Sequence, residues 1–188
     1  SDVTKLAVSS GFVALLARVL TRHGNRVGAM LYGTRVDTVL PPRLSRQHVL
    51  NLMRLMRARP RDIAAPGAGT SLAALLNAAA ATIKRRSLVL VVSDFISQPG
   101  WDDALARLAQ RHEVVAVRLY DPLEMALPEL GLVTVEDAET GEQLFIDTAD
   151  PAFRRRYQAE AEAREAALRD ALARAGCDTL ELSTDEEL

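Results

Sequence analysis

At 188 residues, with 48% hydrophobic and 26% charged side chains, the chain suits one buried core and excludes a disordered or fibrous protein. Its formal net charge of −2 hides two opposed halves. Residues 1–86 carry 14 Lys/Arg against Asp2, Asp37 and Asp62, a surplus of 11, whereas residues 87–188 carry 9 basic and 22 acidic residues, a balance of −13. Such polarity either neutralises locally when the halves interleave or steers a charged partner.

The single Cys177 excludes an internal disulfide, argues against a cysteine zinc centre and fits a reducing compartment, so a cytoplasmic location is expected. No apolar run approaches the roughly 18 to 20 residues that span a bilayer, and the start lacks a signal pattern, so no membrane contact is expected from this segment.

In chain order, residues 4–22 place Leu6, Val13, Leu16, Ala17 and Leu20 at helical spacing and stop at His23-Gly24. The run 26–33 reads as a buried strand and 35–41 as an edge strand ended by Pro41-Pro42. Ser45 caps a helix over 46–58, and Thr70 or Ser71 opens an alanine-rich helix over 71–84. Residues 87–96, SLVLVVSDFI, form a continuous β-branched run suited to a central strand buried on both faces. A helix over 101–111 and a strand over 113–120 complete a βαβ unit. Segments 132–137 and 142–148 flank a glycine-containing turn and read as an inserted β-hairpin. Asp150-Pro151 starts a helix to Ala175, with i,i+4 pairs Glu160–Arg164, Glu165–Arg169 and Asp170–Arg174, and 179–183 is a last strand. The ensemble is a doubly wound α/β sheet.

Few residues carry recognisable chemistry. His23, His48 and His112 lack any metal-ligand spacing, no nucleophile elbow occurs, and Cys177 has no neighbouring base. The stretch 66–71, PGAGTS, lacks the lysine of a phosphate-binding loop, but it puts Thr70 at a helix start, where its hydroxyl either caps the helix or joins an anion or metal site. Asp94 ends the apolar run at the expected carboxyl edge of a parallel strand, where open α/β sheets bind ligands. Capping of the following turn is the equal alternative.

Arg43, Arg46, Arg54, Arg57, Arg59 and Arg61 form a basic stretch. It reads as a solvated helix face or, through Arg46, Arg54 and Arg57, as a surface for an acidic protein. Nucleic acid is not expected, given the acidic second half and 4% aromatic content.

The segments 69–78, 88–95, 112–131 and 136–157, with the closing LELSTDEEL (180–188), together resemble the bacterial domain-of-unknown-function family of von Willebrand factor A-like proteins encoded beside MoxR-type AAA ATPases. The resemblance implies a mainly parallel sheet of von Willebrand A type spanning 1–188, with the inserted hairpin at about 132–148. It also implies a metal-ion-dependent adhesion site, in which Thr70 and Asp94 match the threonine and the later aspartate that help to hold a divalent ion, usually magnesium.

The family's opening strand and its Asp-x-Ser-x-Ser motif have no counterpart, because Ser9-Ser10 falls inside the first helix. A partial, weak metal site is therefore expected, with Mg2+ in the full-length protein and no cofactor in this chain. Loss of a middle strand leaves edges at 26–33 and 87–96, which are expected either to meet directly or to pair with a second chain in a homodimer. The resulting expectation is a non-catalytic protein-interaction module, partner of a MoxR-type AAA ATPase in assembly or maturation of other proteins. The alternative is an enzyme or nucleotide-binding protein using the crevice near Asp94 and Asp121.

Overall fold

The computed structural model describes residues 4–33, 36–58, 71–126, 128–136 and 143–185. In chain order the elements are α1 (Lys5–Arg22), β1 (Val27–Tyr32), β2 (Val36–Arg43), α2 (Arg46–Arg57), α3 (Leu72–Thr82), β3 (Leu88–Ser93), α4 (Trp101–Ala109) and β4 (Glu113–Tyr120). A 3-10 turn (Pro122–Glu124), β5 (Leu132–Glu136), β6 (Gln143–Asp147), α5 (Pro151–Ala175) and β7 (Asp178–Ser183) follow. The fold is mixed α/β, with a parallel sheet of order β3-β4-β7 and two antiparallel pairs, β1-β2 and β5-β6.

Helix boundaries follow side-chain chemistry. Hydroxyls of Thr4, Ser45 and Ser71 accept the third backbone N–H of α1, α2 and α3 respectively, and Asp150 caps α5 ahead of Pro151. Gly176 closes α5 with φ +69, a conformation that costs glycine nothing.

The core forms around β4. Val114 and Ala116 join Leu76 of α3, Leu105 and Leu108 of α4 and Leu172 of α5 in one buried cluster. Val117 and Leu119 point to the opposite face and are also buried, on the side where α1 packs.

Several sequence expectations need correction. β4, with β3 on one side and β7 on the other, is the central strand of this sheet, whereas among the described residues β3 pairs on one edge. β3 stops at Ser93, because Ser93 Oγ accepts the Phe95 N–H, Asp94 Oδ1 accepts the Ile96 N–H and Phe95 takes φ +58. Such a left-handed turn ends any strand.

β2 runs through Pro41 and Pro42 to Arg43, which an edge strand tolerates because its outer N–H groups need no partner. The β1-β2 register slips beside Gly28, where an added Cβ would lie 2.9 Å from the Leu40 carbonyl oxygen.

The edges of β1 and β3 do not meet: no ladder joins them among the described residues. α1 instead packs on both β1 and β4, and Met30 of β1 lies against the core cluster.

Along α5, Glu165–Arg169 pairs at 3.8 Å as expected, but Arg174 reaches Asp102 of α4 at 3.7 Å, and Arg164 points to the Glu124 carbonyl at 3.5 Å. An exposed i,i+4 pair holds its members by only a few tenths of a kcal/mol, so such side chains turn readily to partners on other elements.

Glu165 has a second and stronger partner. Arg118 of β4, 9% exposed, donates Nη1 to Glu165 Oε1 at 2.7 Å and Nη2 to Glu165 Oε2 at 2.5 Å. Its Nη1 also donates to Glu181 of β7 at 3.1 Å, and its guanidinium lies 5.1 Å from the Tyr120 ring. A forked pair of this kind fixes both position and rotation of α5 against the sheet.

Glu165→Ala strands a buried guanidinium and should cost about 3 kcal/mol, read as a lowered urea midpoint. The double variant Arg118→Met, Glu165→Leu should recover most of that loss. Equal destabilisation of single and double variants would contradict the assignment.

Candidate functional site

The carboxyl ends of the three parallel strands converge on one edge, the usual ligand position of an open α/β sheet. β3 delivers Asp94, the turn after β4 delivers Asp121 and Glu124, and the turn after β7 delivers Thr184. Lys5, at the first turn of α1, enters the same edge. Its Nζ lies 3.3 Å from Asp94 Oδ2 and 2.5 Å from Glu124 Oε1. One ammonium thus bridges two carboxylates.

The remaining carboxylate oxygens are also engaged. Asp94 Oδ1 accepts from the Ile96 N–H at 3.1 Å. Asp121 Oδ1 accepts from the Leu123 N–H at 2.9 Å, and its Oδ2 accepts from the Thr184 hydroxyl at 3.0 Å. Glu124 Oε2 accepts from the Asp121 N–H at 3.4 Å and closes a capping box. Tyr157 of α5 donates to the Leu123 carbonyl at 3.1 Å, tying the turn to the long helix.

Of the two residues singled out for a metal, Asp94 sits at this edge and Thr70 lies outside the described residues. The N-terminus of α3 is nonetheless joined to the loop after Asp94, since the Leu72 N–H donates to Ser97 Oγ at 2.9 Å. A magnesium ion demands near-octahedral oxygen coordination. Among the described residues, Asp94 brings one oxygen that faces the Lys5 ammonium and one that accepts the Ile96 N–H, which on their own fall short of an octahedral oxygen set.

Sequence reasoning could not have found Lys5 or Glu124. They lie 89 residues before and 30 residues after Asp94 in a pattern that only folding brings together.

Arg46, Arg54 and Arg57 stand exposed on α2, at the other end of the domain's first helix pair. The histidines disperse: His23 closes α1, His48 is buried in α2 and His112 is buried ahead of β4. Burial pushes the Cys177 thiol above its ordinary pKa, with its Sγ 3.8 Å from the Leu172 carbonyl, which disfavours the thiolate a nucleophile needs.

The family described as "Protein of unknown function DUF58" matches residues 2–167. The chain belongs to this family. Uncharacterized proteins of Mycobacterium bovis and Mycobacterium tuberculosis are 32% identical to it over 164 residues, covering 87% of this chain and 51% of theirs. One from Mycobacterium avium is 32% identical over 150 residues, 80% of this chain and 87% of its own. The chain therefore spans about half the length (51%) of the first two relatives.

Among solved structures, this DUF58 chain is similar in fold to an aerotolerance-related membrane protein from Bacteroides fragilis. The TM-score is 0.61 at 14% identity, over 97% of this chain and 83% of that one. It is also similar to a conserved hypothetical protein, BatB, from Bacteroides thetaiotaomicron, with TM-score 0.53 at 13% identity, over 93% of this chain and 80% of that one. No helix among the described residues of this DUF58 chain is long and apolar enough to cross a membrane.

Replacing Lys5 tests the carboxyl edge. Lys5→Met leaves Asp94 and Glu124 facing each other without their cation. The pair is partly exposed, so the loss of global stability should stay below about 1 kcal/mol. Local opening should change more, with faster amide hydrogen exchange in the first turn of α1 and in residues 121–125. Unchanged exchange there would show that the bridge holds nothing in place.

Proposed function

We propose that this chain is a non-catalytic protein-interaction module of von Willebrand factor A type that partners a MoxR-type AAA ATPase in the assembly or maturation of other proteins. Membership of DUF58 and the fold likeness to BatB support the reading. The observation that carries it is the carboxyl edge, where Asp94 remains about a third exposed (36%) while its charge is held by Lys5. Each carboxylate there caps a turn or meets a cation, so the edge presents a fixed, partly neutralised polar rim to a partner.

In this chain the Lys5 ammonium supplies the positive charge that a divalent ion supplies in the adhesion site the resemblance implies. Contact with a partner therefore proceeds without a metal here, and Mg2+ with Thr70 and Asp94 belongs to the full-length protein. The setting we propose is cytoplasmic. Calorimetry with magnesium on this chain should show no binding, and on the full-length protein it should show binding that Asp94→Ala abolishes.

The decisive test is capture of the MoxR-type ATPase of the same organism by the full-length protein. Asp94→Ala should weaken that capture about tenfold, the cost of roughly 1.4 kcal/mol at one central contact. Capture unchanged by the substitution would sink the proposal.

That no ladder joins the edges of β1 and β3 among the described residues supports a further element of this reading, a homodimer in which strand edges of two copies pair. Light scattering should then give a dimer mass that persists in high salt, because backbone pairing is little screened. A monomer at all concentrations would remove this element and leave the ATPase reading intact.

A further inference from the structure

A groove of about 650 Å³ runs between the C-terminal half of α1 and the N-terminal half of α2. Its floor is aliphatic: Leu44 and Leu50 are each 52% exposed, and Met53 lies beside them. Its rim is basic, with Arg18 and Arg22 on the α1 wall and Arg46 on the α2 wall. The same floor continues along α2 past Leu50 and Met53 into a second concavity edged by Arg54 and Arg57. An exposed apolar strip of this kind, rimmed by like charges, is the ordinary mark of an interaction surface.

The charges have no internal complement. Asp37 is the one acidic residue in the sequence between positions 4 and 58. No arginine of the groove makes an ion pair among the described residues; Arg54 donates to the amide oxygen of Asn51 at 3.4 Å and nothing more. The ion pair between the basic and acidic halves, at Lys5, lies at the other end of α1. Thirteen residues of helix, about 20 Å, separate it from Arg18. Five of the 14 basic residues of the first half therefore line the two concavities, with no ion pair among the described residues.

Shape and chemistry together select the occupant. Arg46, Leu50, Met53 and Arg57 follow the i, i+4, i+7, i+11 stripe of α2, a length of about 16 Å or three helical turns. Aliphatic side chains flanked by cations match a helix that carries leucine-like anchors at i, i+3 or i+4 and i+7, with carboxylates on either side. A nucleic acid fits less well, since no aromatic side chain lines either concavity to stack a base.

We propose that the α1–α2 groove docks an acidic amphipathic helix of a partner protein. The proposal rests on the protein-interaction reading above but assigns it a second surface, remote from Asp94.

The test uses a fluorescein-labelled synthetic peptide of about four helical turns, with leucines on one face and glutamates flanking them, followed by fluorescence anisotropy. Arg18→Glu with Arg46→Glu should weaken binding at least about tenfold, whereas Arg85→Glu with Arg86→Glu, the same charge change outside the groove, should leave it unchanged. Leu50→Ser, at an exposed position that tolerates a polar side chain, should weaken binding while keeping its salt dependence. A composition-matched scrambled peptide should bind poorly.

Equal binding of the scrambled peptide, or an equal loss at Arg85 and Arg86, would reduce the groove to diffuse charge and overturn the proposal. Tighter binding of an oligouridine than of the peptide would overturn it in favour of nucleic acid. Failure of this inference and failure of the parent reading separate cleanly. A full-length protein that captures the ATPase normally while the peptide does not bind rejects the groove alone. Peptide binding through the groove with no ATPase capture keeps the groove and rejects the ATPase as partner.

Discussion

A guanidinium placed in the middle of a sheet must find its counter-charge inside the protein, and the position of α5 answers that requirement. Arg118 lies on the central strand and is 9% exposed, so water cannot solvate it. Glu165 meets it with both carboxylate oxygens from α5, and Glu181 adds a third bond from β7. Desolvating two charges costs several kcal/mol per ion, and only this near-complete set of partners offsets it. The reward is definition: a forked pair admits one rotation and one height of the helix, where a greasy contact would admit several.

That fixed helix organises the carboxyl edge. Tyr157, two turns above Glu165, donates to the backbone of the turn that holds Glu124. Glu124 in turn pairs with Lys5, and Lys5 with Asp94. A continuous path of polar contacts thus runs from the sheet interior through α5 to the first turn of α1. α1 then bridges two sheets that no ladder joins among the described residues, packing on β1 and on β4. Its two ends meet different worlds. The first turn carries a lysine that meets carboxylates of the acidic half, and the last turns carry arginines with no ion-pair partner among the described residues. Basic and acidic halves thus meet at one end of α1, at Lys5, while arginines of the basic half are displayed at the other.

Much of the secondary structure could be read directly. Helices α1, α2, α4 and α5 begin and end within a few residues of where caps and apolar spacing place them, and β4 coincides with residues 113–120. The family was legible in long segments. The candidate site was legible only in part: Asp94 stood out because a carboxylate closes an apolar run, whereas Lys5 and Glu124 look like ordinary surface charges in their own neighbourhoods. Arg46, Arg54 and Arg57 stood out as a basic run, but nothing local told that Arg18 and Arg22 line a groove with Arg46.

The sequence by itself determined what short-range chemistry controls: caps, periodicity, the place of the glycine and proline stops, and an Asp at the end of a strand. Only the tertiary structure decided what depends on competition between partners. Glu165 faces both an i+4 arginine and a buried arginine 47 residues away, and the buried one takes it because its alternative is an unsolvated charge. The continuous apolar run of β3 suits burial on both faces, yet β4 is central because, among the described residues, it has a parallel neighbour on each side. Propensity describes what a segment can do alone; which edge is paired, and which charge is met, is settled by everything else that needs the same space.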